Sequence, residues 1–151
     1  MSQFEELDQL LHVNEEQYYA EDTFIDVEEL IGQLSEQDVP ALLEAWSNRS
    51  YAWRERFANG SRRIGQSVVQ AILRKAIAES TEPELSLSLM TNLPRVADKS
   101  EFNELLVGYA VAVWSDHPTL HRQVQMSTWS CGLSGRVLRS LGYKSWKEAG
   151  L

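Results

Sequence analysis

The sequence predicts an all-α chain of stacked antiparallel helix pairs. Three observations carry this: apolar residues recur at spacings of three and four along most of the chain, short turn-forming breaks separate the runs, and no pair of matching strands is visible. At 151 residues the length suits one domain with its own core. Residues 1–151 are therefore expected to form a single domain, with acidic N-terminal helices over 1–34, helix pairs over 35–133, and a C-terminal helix and tail over 134–151.

The opening segment, Ser2 to His12, places Phe4, Leu7 and Leu11 on one helical face. Val13 to Thr23 is rich in Glu, lacks a helical stripe and reads as a connector. Asp26 then suits the N-cap of a second short helix reaching Leu34, with Glu28 and Glu29 in the first turn, where negative charge favours the helix dipole. Ser35 or Asp38 can cap the next helix. Pro40 fits its early turn, and Val39, Leu42, Leu43 and Trp46 form its stripe.

Ser47 to Ser50 is expected to break the chain before a helix over Tyr51 to Ile64, which carries Trp53, Phe57 and Ile64 and stops at Gly65. Further helices are expected over Gln66–Glu79, Glu84–Val96, Ser100–Trp114, Thr119–Cys131 and Ser134–Leu141, the last ending at Gly142. Leu85, Leu87 and Leu89 alternate like a strand, but spacing of four persists beyond them and favours a helix.

The doublets Leu42-Leu43, Ile72-Leu73 and Leu105-Leu106 recur at separations of 30 and 33, each followed by a polar break and a second helix. Stacked hairpins produce such a period, since each has an apolar face that it cannot bury alone. The stretch VPALLEAWSNRSYAWRERFANGSRRIG resembles the HEAT-like family of α-solenoids, although Ser47 and Asn48 stand where that family usually begins its intra-repeat turn with Asp. The resemblance covers about Gln37 to Val96, and more weakly Ser100 to Leu133. It implies a short right-handed α-solenoid of about three HEAT-like antiparallel helix pairs, preceded by an acidic helical extension. WSNRSYAWRERFA is also similar to a helix pair of small helical immunity proteins that neutralise bacterial toxins.

Charge bears most directly on function. Up to Asn48 the chain carries thirteen acidic residues and no Lys or Arg, whereas from Arg49 onward fourteen basic residues outnumber nine acidic ones. A net charge of −8 disfavours nucleic acid, whose binding rests on cations neutralising phosphates. The acidic segment favours a basic protein surface. Two blander readings stand beside that one: a solvated face, or pairing with the chain's own basic half. The candidate partner-binding residues are Glu15, Glu16, Tyr18, Tyr19, Glu21, Asp22, Asp26 and Glu29, because rings among carboxylates combine buried area with steering. The resemblance to immunity proteins adds a toxin domain as a candidate partner, with carboxylates covering its basic cleft. Alternatives are a structural or adaptor subunit, self-association through an open end of the stack, and a nucleic-acid role for the Arg-rich helix, as in HEAT-like alkylpurine DNA glycosylases.

No catalytic, metal or cofactor site is expected. His117 and His121 are four apart, but Pro118 lies between them, no HExxH glutamate follows and no third ligand is evident. Cys131, the only cysteine, is expected to be an inert buried thiol, in keeping with a reducing compartment. Gly132 to Gly135 lacks the GxxxxGK[ST] pattern of a phosphate loop. Arg54, Arg56, Arg62 and Arg63 read first as a solvated face paired with acids, and Trp46, Trp53 and Trp114 as core. No apolar run approaches the roughly 20 residues that cross a bilayer, and MSQFEELDQLL lacks the pattern of a signal peptide, so a cytoplasmic location is expected.

Overall fold

Residues 2–94 and 100–151 are described by a computed structural model. They form ten α-helices and three single 3-10 turns, with no strand among the described residues. The helices are α1 (Gln3–Leu11), α2 (Glu15–Ala20), α3 (Thr23–Gln33), α4 (Val39–Asn48), α5 (Tyr51–Asn59), α6 (Gln66–Glu79), α7 (Pro83–Thr91), α8 (Glu101–Asp116), α9 (His121–Cys131) and α10 (Ser134–Leu141). The chain divides into two compact units, Met1–Thr81 and Glu82–Leu151.

In the first unit, α1 begins with a capping box: Glu5 N–H donates to Ser2 Oγ at 3.1 Å, and Ser2 N–H donates to the Glu5 carboxylate at 3.2 Å. Its stripe of Phe4, Leu7 and Leu11 is buried, as are Val27 and Ile31 of α3 and Trp53 and Phe57 of α5. These three helices pack together around the stacked rings of Trp53 and Phe57, whose centroids lie 5.7 Å apart, with Trp46 of α4 edge-on to Phe57 at 6.3 Å. Helix α4 in turn packs on α6.

Two glycines let α3 come close. A Cβ on Gly32 would sit 3.1 Å from the Cβ of Arg63. One on Gly60 would meet the Arg56 carbonyl and Val27 at 3.2 Å, and Ile31 at 3.3 Å.

Several boundaries depart from those expected. The connector Val13 to Thr23 contains α2, capped by Asn14, whose Oδ1 accepts from Gln17 N–H at 2.7 Å. Helix α3 starts at Thr23, which places Asp26 in the first turn rather than at the cap. Helix α4 runs through Asn48, so the break before α5 shrinks to Arg49 and Ser50. Helix α5 ends at Asn59, because the close approach of α3 at Gly60 leaves no room for another turn of side chains there; a 3-10 turn over Ser61–Arg63 follows, and Gly65 precedes α6 rather than ending α5.

In the second unit, α7 packs on α9, and α8 packs on α9 and α10. Leu85, Leu87, Leu89 and Met90 are all buried, so the strand-like alternation belongs to a helix covered on most sides. Helix α7 ends at Thr91 because Asn92 and Leu93 close a turn on the carbonyls of Leu89 and Met90; the expected end at Val96 lies outside the described residues. Helix α8 runs two residues past its expected end, to Asp116, and α9 begins at His121 after a 3-10 turn over Pro118–Leu120. Helices α9 and α10 end on Gly132 and Gly142 in the left-handed region, φ 83° and 84°, where Leu133 N–H and Tyr143 N–H reach back to the Thr128 and Leu138 carbonyls. No helix is long and apolar enough to cross a membrane among the described residues.

Candidate protein-binding surface

Helices α2 and α3 meet at a tight turn in which Asp22 adopts a left-handed conformation, φ 55°. Thr23 is buried behind the turn, and its hydroxyl donates to the Gln17 carbonyl at 3.4 Å. The geometry separates two adjacent rings. Tyr18 turns inward and is 3% exposed, while Tyr19 is 56% exposed and meets Tyr18 edge-on at 5.2 Å.

Arg56 of α5 holds Tyr18 in place. Its guanidinium carbon lies 4.4 Å from the Tyr18 ring centre, and its Nη1 donates to the carbonyls of Leu11 at 3.2 Å and Val13 at 2.6 Å. Burial pushes the Tyr18 phenol up to about 12, against the opposing pull of Arg56. Beside these groups is a cleft of about 200 Å³, lined also by Tyr19, Phe24, Glu28, Asn59 and Gly60.

Eight acids of α1 to α3 and the turns between them fall into two sets. Asp8 and Glu28 face the chain's own cations: Asp8 accepts from Arg49 at 3.0 and 3.1 Å and from Trp53 Nε1 at 2.9 Å, and Glu28 pairs with Arg62 at 2.7 Å and Arg63 at 3.6 Å. Burial alone would raise the Asp8 carboxyl, but the hydrogen bonds from Arg49 and Trp53 outweigh it and hold the group below its ordinary value. The second set comprises Glu15, Glu16, Glu21, Asp22, Asp26 and Glu29. All six are exposed, and none makes an ion pair among the described residues. Around them Tyr19, Phe24 and Ile25 leave 56%, 41% and 48% of their surface in solvent.

Compared with known protein families, curated proteins and solved structures, the chain matches none.

Of the eight residues singled out from the sequence, seven lie on the exposed face of α2, α3 and their turn; Tyr18 instead supports that face from below. Phe24 and Ile25 belong to the surface and were not singled out. Their signal was the pair of adjacent apolar residues directly after Thr23, just ahead of the stripe of α3.

The Arg-rich face is largely spent internally. Arg54 Nη1 donates to the carbonyls of Trp46 at 3.2 Å and Arg49 at 2.5 Å, Arg56 holds the α1–α2 link, and Arg62 and Arg63 face Glu28. His121 stacks on Trp114 with ring centres 3.5 Å apart and bonds the Trp114 carbonyl through Nε2 at 2.7 Å. No three His, Cys, Asp or Glu side chains converge as metal ligands would among the described residues. Cys131 is fully buried, and burial pushes its thiol up to about 11.

Proposed function

We propose that this chain is a non-catalytic protein-binding module that docks the acidic, aromatic face of α2 and α3 on a basic cleft of a partner protein, as an immunity protein does when it neutralises a cognate toxin in the cytoplasm. One observation carries the reading: α2, α3 and their turn carry six exposed carboxylates without ion pairs among the described residues together with three exposed apolar side chains. Keeping so many like charges together on a folded surface costs self-repulsion, which a cationic partner would relieve. The exposed rings add area that can be desolvated at the centre of such a contact. If the partner is a nuclease toxin, the carboxylates occupy the track that its phosphate substrate would follow.

The scaffold in this reading is the short right-handed stack of helix pairs that the repeat implies, with α1 to α3 as its acidic extension. Support comes from the packing of α4 on α6, which are first helices of successive pairs, and of α7 on α9, which are second helices. The internal engagement of Arg54, Arg56, Arg62 and Arg63 weighs against the nucleic-acid alternative.

The test is affinity capture from the native host at low and moderate salt, comparing the wild type with a variant carrying Tyr19→Ala, Glu21→Lys and Asp22→Lys. All three side chains are exposed, and far-UV circular dichroism checks that the variant keeps its helices, since Asp22 holds a left-handed backbone. A stoichiometric basic partner that is weakened by salt and lost in the variant is the expected result. A partner indifferent to both changes overturns the reading.

A further inference from the structure

The second unit carries an opening unrelated to the acidic face. A groove of about 530 Å³ is lined by Thr91, Gln125, Met126, Trp129, Ser130 and Trp146, a volume within the roughly 300–1,000 Å³ typical of ligand clefts. Met126 and Trp129, on successive turns of α9, leave 66% and 64% of their surface in solvent. Single exposed apolar residues are ordinary; here two large ones flank a groove together with a second Trp.

The groove is held in shape before anything enters it. Ser130 Oγ donates to the Thr91 carbonyl at 2.6 Å, and the Thr91 and Ser127 hydroxyls bond at 2.9 Å, which fixes α9 against α7. Trp146 packs on Trp114 at 5.5 Å, and Trp114 is itself stacked on His121. Such preorganisation lowers the ordering cost of binding.

Charge indicates the occupant. Arg122 stands one turn before Met126 on α9, and Lys147 follows Trp146; both are exposed, and neither makes an ion pair among the described residues. Lys144 adds a third exposed cation, and Glu148, the acid nearest in sequence, accepts from the Lys144 backbone N–H at 3.1 Å. We propose that this groove docks an acidic peptide segment of a partner protein, which inserts one or two large apolar side chains against Met126, Trp129 and Trp146 while its carboxylates face Arg122 and Lys147. The proposal is independent of the acidic face on α2 and α3.

The probe is a displayed library of random peptides, selected on the full chain and counter-selected on a Trp129→Glu variant. The expected winners carry a Trp, Phe, Leu or Met flanked by Asp or Glu. Titrated by fluorescence anisotropy, the synthesised winner should bind at least about thirtyfold more weakly to a Met126→Ser, Trp129→Ala variant, as loss of a central anchor implies. An Arg122→Gln, Lys147→Gln variant should weaken it about tenfold and reduce its salt dependence. A Glu21→Lys, Asp22→Lys variant should bind it unchanged. The substituted side chains are exposed, and far-UV circular dichroism checks that each variant keeps its helices.

Three results overturn the proposal: no enrichment, winners that are basic or lack an apolar anchor, or binding indifferent to Trp129. A concentration-dependent dimer in sedimentation velocity, abolished by Trp129→Ala, would assign the groove to a second copy of the chain and overturn it equally.

Discussion

The two units rely on charged links to different degrees. Met1–Thr81 carries fifteen acidic and seven basic residues, so the whole net charge of −8 resides there; Glu82–Leu151 carries seven of each. The first unit ties its helices through charged groups: Asp8 to Arg49, Glu28 to Arg62, and Arg56 to the backbone carbonyls of Leu11 and Val13. The second joins α7 to α9 through neutral groups, with the Thr91 and Ser127 hydroxyls, Ser130 on the Thr91 carbonyl, and Gln123 Nε2 on the Glu84 carbonyl at 2.8 Å, and adds an ion pair, Arg136 of α10 with Glu104 of α8. Salt and acid act on the first kind of link and barely on the second. A chain can thus concentrate most of its electrostatic links, and the surface they create, in one region while the other relies on them less.

The largest test of this contrast is Phe57→Ala, which removes the ring shared by Trp46 and Trp53 and should cost about 3–5 kcal/mol. Hydrogen exchange should then show protection lost in α1, α3 and α5 while α9 and α10 keep theirs. Uniform loss would break the comparison. Next comes Gly60→Ala, whose methyl group would press on the Arg56 carbonyl and Val27 at 3.2 Å. Overpacking of this kind should cost about 1–3 kcal/mol, read as a lower denaturant midpoint.

Asp8→Asn sharpens the contrast through pH. Because Asp8 is held below its ordinary 3.8 in the folded chain, its contribution is fully present above that value and is lost as pH falls through the lowered folded one. Replacing it should cost about 1–2 kcal/mol at neutral pH, as for a hydrogen bond to a charged group, and should flatten the acid-induced loss of stability. Acid titrations of both proteins followed by circular dichroism would check this. The smallest effect is expected from Ser127→Ala, which removes one neutral hydroxyl link at about 1 kcal/mol and should leave the salt dependence of unfolding unchanged. A strong salt response in that variant would show that charge also governs the second unit.

The all-helical character was legible wherever a helix buries a continuous stripe. Gln66–Glu79 and Ser134–Leu141 were read to their ends, because Val69, Ile72, Leu73 and Ala76 keep strict helical spacing and Gly142 terminates α10 with positive φ. Helix α2 was not, since Tyr18 is its only buried residue and one residue makes no stripe. Its trace in the sequence was local: Asn14 followed by Glu15 and Glu16, a cap with acids in the first turn.

The inward turn of Tyr18 could not be read at all, because the arginine that holds it lies on a helix distant in sequence. The singled-out acids are exposed, yet sorting Asp8 and Glu28 from the others required knowing which carboxylates meet Arg49 and Arg62. The groove beside Trp129 was overlooked for a related reason. Arg122, Met126 and Trp129 share one face of α9 at helical spacing, but apolar residues on a face read as core until burial shows otherwise.

The notches at Gly32 and Gly60 also bear on ancestry. Surface acids can drift while keeping their collective charge, but a side chain at Gly60 would press on α3 and one at Gly32 on the turn that follows α5, so substitutions there should be purged over evolutionary time. Relatives too diverged to align by overall identity should still carry glycine at both positions, aromatic residues matching Trp53 and Phe57, and an acid matching Asp8. That sparse fingerprint offers a way to trace the lineage of this chain.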